Sequence, residues 1–255
     1  MNVHKDFWKK EYKKCLLDTT RAYMMEHYCF HGSLWKGQYN VIRNLYEDTK
    51  LLIVSKSRDV GYTSLMAART ACELALNSDE KNDIIFIGFS RQSCQDFYDK
   101  VREYIDTIPS ELITCSDISD DACYRYLKVG YSKLILTTSS RELPICRDNI
   151  HPTYVIYDEP VTKKDDYDIE GDLCLGNWFS NSKHIIIGGC SNHKNEKWFN
   201  FVKKNKNSVI KMEYETNPKH KNLFSTFKNL FCDLNSYEFA DEFKCEIFHV
   251  KTEYL

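Results

Sequence analysis

The sequence predicts an α/β protein with a mostly parallel central sheet flanked by helices. Two observations predict it. Short runs recur that are apolar at every position, not at alternate ones, as in strands covered on both faces. Between several of them lie longer stretches of helix-forming residues, so strands and helices alternate. The 255 residues suffice for one large domain whose core needs no covalent staple. Hydrophobic residues at 42% and charged residues at 28% make an ordinary globular composition. A net charge of −2 argues against a globally basic nucleic-acid binder and leaves a local basic face open.

Taken in order, residues 5 to 30 read as helix. Phe7, Tyr12, Leu16, Leu17, Tyr23 and Met24 recur at roughly helical spacing with lysines between them. Leu51-Leu52-Ile53-Val54 is the first strand. A polar loop with one glycine follows, then a helix through Leu65 to Leu76. Ile84 to Ile87 is the second strand, with a helix at about 92 to 107. Further strands are expected at Leu134–Leu136, Tyr154–Tyr157 and His184–Ile187. Val209 to Tyr214 alternates and reads as an edge or half-exposed strand. Nine glycines, five prolines and no repeat or linker predict a single domain over 1–255. Within it, 1–50 is a helical region, 51–215 the core and 216–255 a C-terminal segment.

Eleven cysteines, an odd number, include no pair closer than Cys115 and Cys123. That spacing disfavours zinc ribbons and disulfide frameworks and fits a reducing compartment. No apolar run approaches the roughly 18 residues of a membrane span, and no apolar region follows Met1 to Asp6. Neither a membrane location nor secretion is therefore expected.

Ligands of parallel α/β sheets bind at the carboxyl ends of the strands. The first strand runs into Lys56-Ser57-Arg58-Asp59-Val60-Gly61-Tyr62-Thr63-Ser64. On the phosphate-loop template G-x-x-x-x-G-K-[ST], Lys56 occupies the first glycine position and Gly61 the second. Tyr62 falls at the lysine and Thr63 at the hydroxyl. The strand, loop, glycine and helix N-terminus are retained, so backbone N–H groups can face phosphates and Thr63 can ligate Mg²⁺. The template's lysine is replaced, leaving Lys56 or Arg58 to supply the cation. Any tight strand-to-helix turn is the competing reading.

The fourth strand ends in Asp158-Glu159, a Walker B pattern with a second acid. Asp158 would hold Mg²⁺ and Glu159 would orient the attacking water; a solvated acidic turn is the alternative. Loop and acids in this order, with a further strand between them, indicate a P-loop NTPase of the ASCE type. Upstream, Gln38 can read an adenine edge with its amide and Trp35 can pack on the base; Gln38 as a surface helix residue is the competing reading. Downstream, Gly188-Gly189-Cys190-Ser191-Asn192 offers small polar groups to a γ-phosphate, or forms a plain turn.

Taken together, these motifs resemble the ATPase domain of the large terminase subunits of tailed phages. Four segments match in order: Trp35-x-x-Gln38 as adenine motif, Val54 to Thr63 as Walker A, Tyr154 to Glu159 as Walker B, and Gly189 to Asn192 as coupling motif. Lys56 with Tyr62 is similar to a variant in which the lysine is displaced to the start of the loop. Arg58 is similar to an arginine inside the family's loop. Arg147 stands where an arginine precedes Walker B and is a candidate arginine finger. Phe239-Ala240-Asp241-Glu242-Phe243 resembles the acidic-aromatic stretch after the core.

The resemblance implies an ATP- and Mg²⁺-dependent motor. Its expected partners are double-stranded DNA, a portal protein on a procapsid, a small terminase subunit and copies of itself in a ring, with a monomer in isolation. The expected location is the host-cell cytoplasm. About 40 residues after the last strand are too few for the family's nuclease domain, so no nuclease activity is expected. ATP-binding residues would be Gln38 and Lys56 through Ser64, with Lys56, Arg58 and Glu159 catalytic, Thr63 and Asp158 on the metal, and Ser191 and Asn192 coupling. A helicase-like remodelling ATPase and a non-hydrolysing nucleotide-binding module, hinted at by Tyr62, are the alternatives.

Two other clusters carry weaker signals. His27, Cys29 and His31 alternate as strand ligands do, or form an ordinary histidine cluster at a helix end. Lys203-Lys204-Asn205-Lys206, preceded by Trp198, Phe199 and Phe201, is a basic-aromatic stretch. It can meet a phosphate backbone or be a solvated helix face.

Overall fold

The computed structural model describes residues 25–45, 50–57, 60–113, 115, 117–120, 126–138, 152–160, 181–189 and 196–213. Eight strands form one sheet: β1 (Leu51–Lys56), β2 (Asp83–Gly88), β3 (Ile118–Asp120), β4 (Tyr126–Val129), β5 (Ser132–Thr138), β6 (Tyr154–Asp158), β7 (His184–Gly189) and β8 (Val209–Met212). Four helices are described: α1 (Lys36–Asn44), α2 (Tyr62–Leu76), α3 (Arg91–Thr107) and α4 (Glu196–Lys204).

The sheet order is β3-β4-β5-β2-β6-β7-β1-β8. Strands β5, β2, β6, β7, β1 and β8 are mutually parallel, while β4 pairs antiparallel with both β3 and β5. Strand β7 therefore lies between β1 and β6 and is hydrogen-bonded to both. This order brings the ends of β1 and β6 to one edge, separated by a single strand.

The six residues of β1, of β2 and of β7 are all buried, because alternate side chains of each enter different cores. Leu52, Val54, Ile84, Phe86, Leu134, Ile156 and Ile186 pack under α1, α2 and α3. Ile53, Ile85, Ile87, Val155, Ile185 and Ile187 pack against Trp198, Phe201 and Val202 of α4. Helices thus cover both faces, as predicted. β8 closes one edge with Lys211 exposed, which blunts that edge against further pairing.

Three expectations need correction. The described end of the predicted first helix, Met25–Phe30, is a π-helical turn that stops at His31, where φ is +48°; the rest of that helix lies outside the described residues. The last strand ends at Met212, short of Tyr214. The β3–β4 pair was missed. Its Gly130-Tyr131 connection to β5 depends on Gly130, whose φ is +59° and whose added Cβ would sit 2.1 Å from the Ser78 carbonyl oxygen.

Helix α2 is almost wholly buried, and a buried ion pair fixes its far end. Arg69 Nη2 donates to Glu73 Oε1 at 2.9 Å, and Asn77 Nδ2 donates to Glu73 Oε2 at 2.9 Å. The Arg69 guanidinium also lies 4.6 Å from the Tyr154 ring centroid. Removing one partner strands the other charge. Glu73→Leu alone should cost about 3–5 kcal/mol in urea unfolding, and Arg69→Met/Glu73→Leu should recover most of it.

Candidate nucleotide and metal site

Strand β1 delivers Lys56 at its carboxyl end with the residue only 8% exposed. Strand β6 delivers Asp158 and, one residue on, Glu159. The Lys56 ammonium forms an ion pair with Glu159 Oε1 and lies 3.7 Å from Asp158 Oδ1. From the first turn of α2, Thr63 Oγ1 donates to Asp158 Oδ2 at 2.7 Å. Four residues from three elements thus converge where the sequence placed the chemistry.

The backbone holds this arrangement under strain. Glu159 has φ +54°, a conformation that L residues avoid and that the following Pro160 further disfavours. Such a residue costs about 1–3 kcal/mol and persists where its surroundings over-determine it. Here its N–H donates to the Gly188 carbonyl at 2.8 Å.

Among the described residues, one ammonium faces two carboxylates. Burial holds the Asp158 carboxyl above its ordinary range; Glu159 pushes the same way, against Lys56 and the Thr63 hydrogen bond. Asp158 Oδ1 is buried and accepts no hydrogen bond. The Lys56 ammonium, 3.7 Å away, faces it without a hydrogen bond. A hard divalent cation with oxygen ligands fits this arrangement. Asp158 and Thr63 are the side chains that would hold it.

Gly61 caps α2 with φ +73°, and its carbonyl accepts from the Leu65 N–H at 2.9 Å. A Cβ there would meet Gln38 Nε2 at 2.7 Å and the Trp35 ring at 3.4 Å. Gln38 is buried, not a surface helix residue. Its Oε1 accepts from the Trp35 N–H at 3.0 Å, and its Nε2 donates to the Gly61 carbonyl at 3.4 Å. The predicted adenine motif thus supports the loop directly.

Tyr62, at the lysine position of the template, turns its ring onto the sheet and is 2% exposed. A Cβ on Gly188 would fall 2.2 Å from Tyr62 Cζ and 2.7 Å from its hydroxyl oxygen. Gly188 is the register partner of Asp158. Lys56 Nζ sits 5.6 Å from the Tyr62 ring centroid. Burial first, then the Asp158 and Glu159 charges, hold this phenol well above its ordinary pKa, so at neutral pH it is a neutral donor. It makes no hydrogen bond among the described residues.

The other expected residues divide. Val60 is buried in the core. The Ser57 N–H donates to the Met212 carbonyl at 3.0 Å, which removes it from any anion cradle. Ser64 faces the Tyr104 phenol of α3, which burial first of all holds above its ordinary pKa. Arg58, Asp59, Arg147, Ser191 and Asn192 lie outside the described residues. Gly188 and Gly189 belong to β7, not to a turn. Gly188 belongs to the segment that the sequence offers to a γ-phosphate; what sequence reasoning missed is its packing under the Tyr62 ring.

The weaker clusters resolve differently. His27, Cys29 and His31 fall on the π-helical turn and the residue after it, with Cys29 buried and both histidines exposed, so they do not share a strand face. Trp198 and Phe201 are core residues, whereas Lys203, Lys204 and Lys206 are exposed.

A comparison with protein-family models and with curated sequences returns no match. Solved structures do match. The ATPase domain of the Thermus phage P74-26 large terminase aligns at TM-score 0.60 and 13% identity, over 86% of this chain and 95% of that one. The HK97 bacteriophage large terminase aligns at 0.65 and 15% identity, over 89% of this chain and 54% of that one. The large terminase of thermophilic bacteriophage D6E in complex with ADP aligns at 0.57 and 10% identity, over 83% and 53%. This chain thus spans about half the length of the last two proteins. Its fold is that of large-terminase ATPase domains.

Gly188→Ala should force Tyr62 off the sheet and cost about 1–3 kcal/mol in chemical unfolding, as overpacking does. Gly189→Ala, whose Cβ would meet nothing closer than Pro160 Cδ at 3.4 Å, should cost well under half of that.

Proposed function

We propose that this chain is an ATP-hydrolysing motor domain of the large-terminase type, driving double-stranded DNA into a procapsid. The observation that carries the reading is the convergence of Lys56, Thr63, Asp158 and Glu159 at adjoining strand ends beneath the N-terminus of α2. Residues 51–215 would form the ATPase core.

In this reading the loop from Lys56 to Thr63 receives the phosphates of ATP against the α2 N-terminus, where backbone N–H groups favour anions. Lys56 supplies the cation absent from position 62, with Arg58 beside it in the loop. Thr63 and Asp158 would hold Mg²⁺, which when bound neutralises phosphate charge and fixes its orientation. Glu159 orients and polarises the attacking water. Its pairing with Lys56 holds the carboxylate close to where that water must sit. Lys56 then stabilises the charge that develops in the transition state, a role for which a preplaced ammonium in a water-poor site is suited. Gln38 holds the loop and stands beside the adenine. Arg147 is proposed as an arginine finger, and Ser191 and Asn192 as the groups that report the state of the γ-phosphate.

The motor would act as a ring of identical subunits on a portal, with a small terminase subunit delivering DNA, in the host-cell cytoplasm. Among the described residues no helix is long and apolar enough to cross a membrane.

Phosphate release with Mg²⁺, with and without double-stranded DNA, tests the reading. Glu159→Gln should lower turnover by about 10²–10⁴-fold while ATP binding persists. ATP binding by the wild type without phosphate release, with or without DNA, would favour a non-hydrolysing module instead. DNA strand separation would favour a helicase-like remodeller.

A further inference from the structure

The reading above leaves one polar group in the site without work. The Tyr62 hydroxyl is buried and makes no hydrogen bond among the described residues. It is held over Gly188, whose register partner is Asp158. Asp158 Oδ1 also lacks a hydrogen bond and is met only at ion-pair distance, by the Lys56 ammonium at 3.7 Å. A buried hydroxyl at the start of α2 and a carboxylate oxygen at the end of β6, short of hydrogen bonds among the described residues beside the Lys56 ammonium, mark a place that something polar from outside the chain would complete.

We infer that Tyr62 is a positioning residue whose hydroxyl donates a hydrogen bond to an oxygen in the metal's coordination shell beside Asp158. The inference rests on the proposed nucleotide and metal site. A buried phenol without an acceptor destabilises the free protein, so the folded chain retains it at a cost. Ring packing alone does not account for the hydroxyl, since phenylalanine would fill the same space on Gly188 with no polar atom to satisfy. Position 62 has therefore exchanged the template's phosphate-facing cation for a buried neutral donor packed on Gly188, and Lys56 carries the charge from the end of β1.

Opposite signs in one experiment separate this from a structural role. Wild type and Tyr62→Phe are compared by thermal unfolding of the free protein, and by calorimetric titration of ATP with Mg²⁺ or with EDTA. The free variant should melt at the wild-type temperature or above it, because the unsatisfied hydroxyl is gone. Its dissociation constant for ATP with Mg²⁺ should rise about ten-fold or more, the loss expected for a hydrogen bond in a charged site. With EDTA the two proteins should agree within about twofold.

A lower melting temperature with unchanged binding would overturn the inference and make the hydroxyl structural. An equal loss with and without Mg²⁺ would also overturn it, and would place the hydroxyl on the phosphate chain. Wild-type protein that binds no nucleotide would sink the proposed site itself, and the inference with it. Wild-type binding matched by Tyr62→Phe under both conditions would sink the inference alone.

Discussion

One ammonium set between two carboxylates governs this structure. Lys56 stands at the end of β1, Asp158 and Glu159 at the end of β6, and β7 runs between them. Bringing these charges out of water is expensive unless each finds partners. Lys56 offsets only part of the cost, and the carboxyl of Asp158 remains above its usual range. Among the described residues the site sets one cation against two acids.

Several features of the fold follow from that constraint. The strand between β1 and β6 must be thin where the Tyr62 ring packs on it, and Gly188 makes it so. The carboxylate of Glu159 must turn back toward Lys56, and the chain adopts a left-handed residue before Pro160 to do so. The first turn of α2 must hold still, and Gly61, packed on Gln38 and Trp35, fixes where that helix starts. Glycine is required at 61 and 188 for different reasons, one conformational and one steric. Where position 62 carries an aromatic, strand β1 brings Lys56 to within 5.6 Å of its ring centroid.

Strands apolar on both faces were legible because both cores impress themselves on every residue, as in Ile84 to Ile87 and His184 to Ile187. The β3–β4 pair was not, because short edge strands carry little pattern: Ile118-Ser119-Asp120 has one apolar residue, and half-covered Tyr126 to Val129 alternates over only four positions. The acids and Thr63 were readable from spacing, since strand ends and a helix start constrain where side chains can go. Gln38 was harder. A glutamine in a helix is usually solvated, and only the tertiary contact with Gly61 buries it. The fate of the Tyr62 ring depended on a glycine about 126 residues later, a pairing no local rule supplies.

The central claim is that Lys56 replaces the cation missing from position 62, and single-turnover phosphate release by Lys56→Met tests it most directly. The account predicts a fall of about a hundredfold or more in protein that still melts cooperatively, comparable to removing a preorganised charge-stabilising group. Release within about twofold of wild type would show that the charge comes from elsewhere, and that the ion pair at the end of β1 is only a structural clamp.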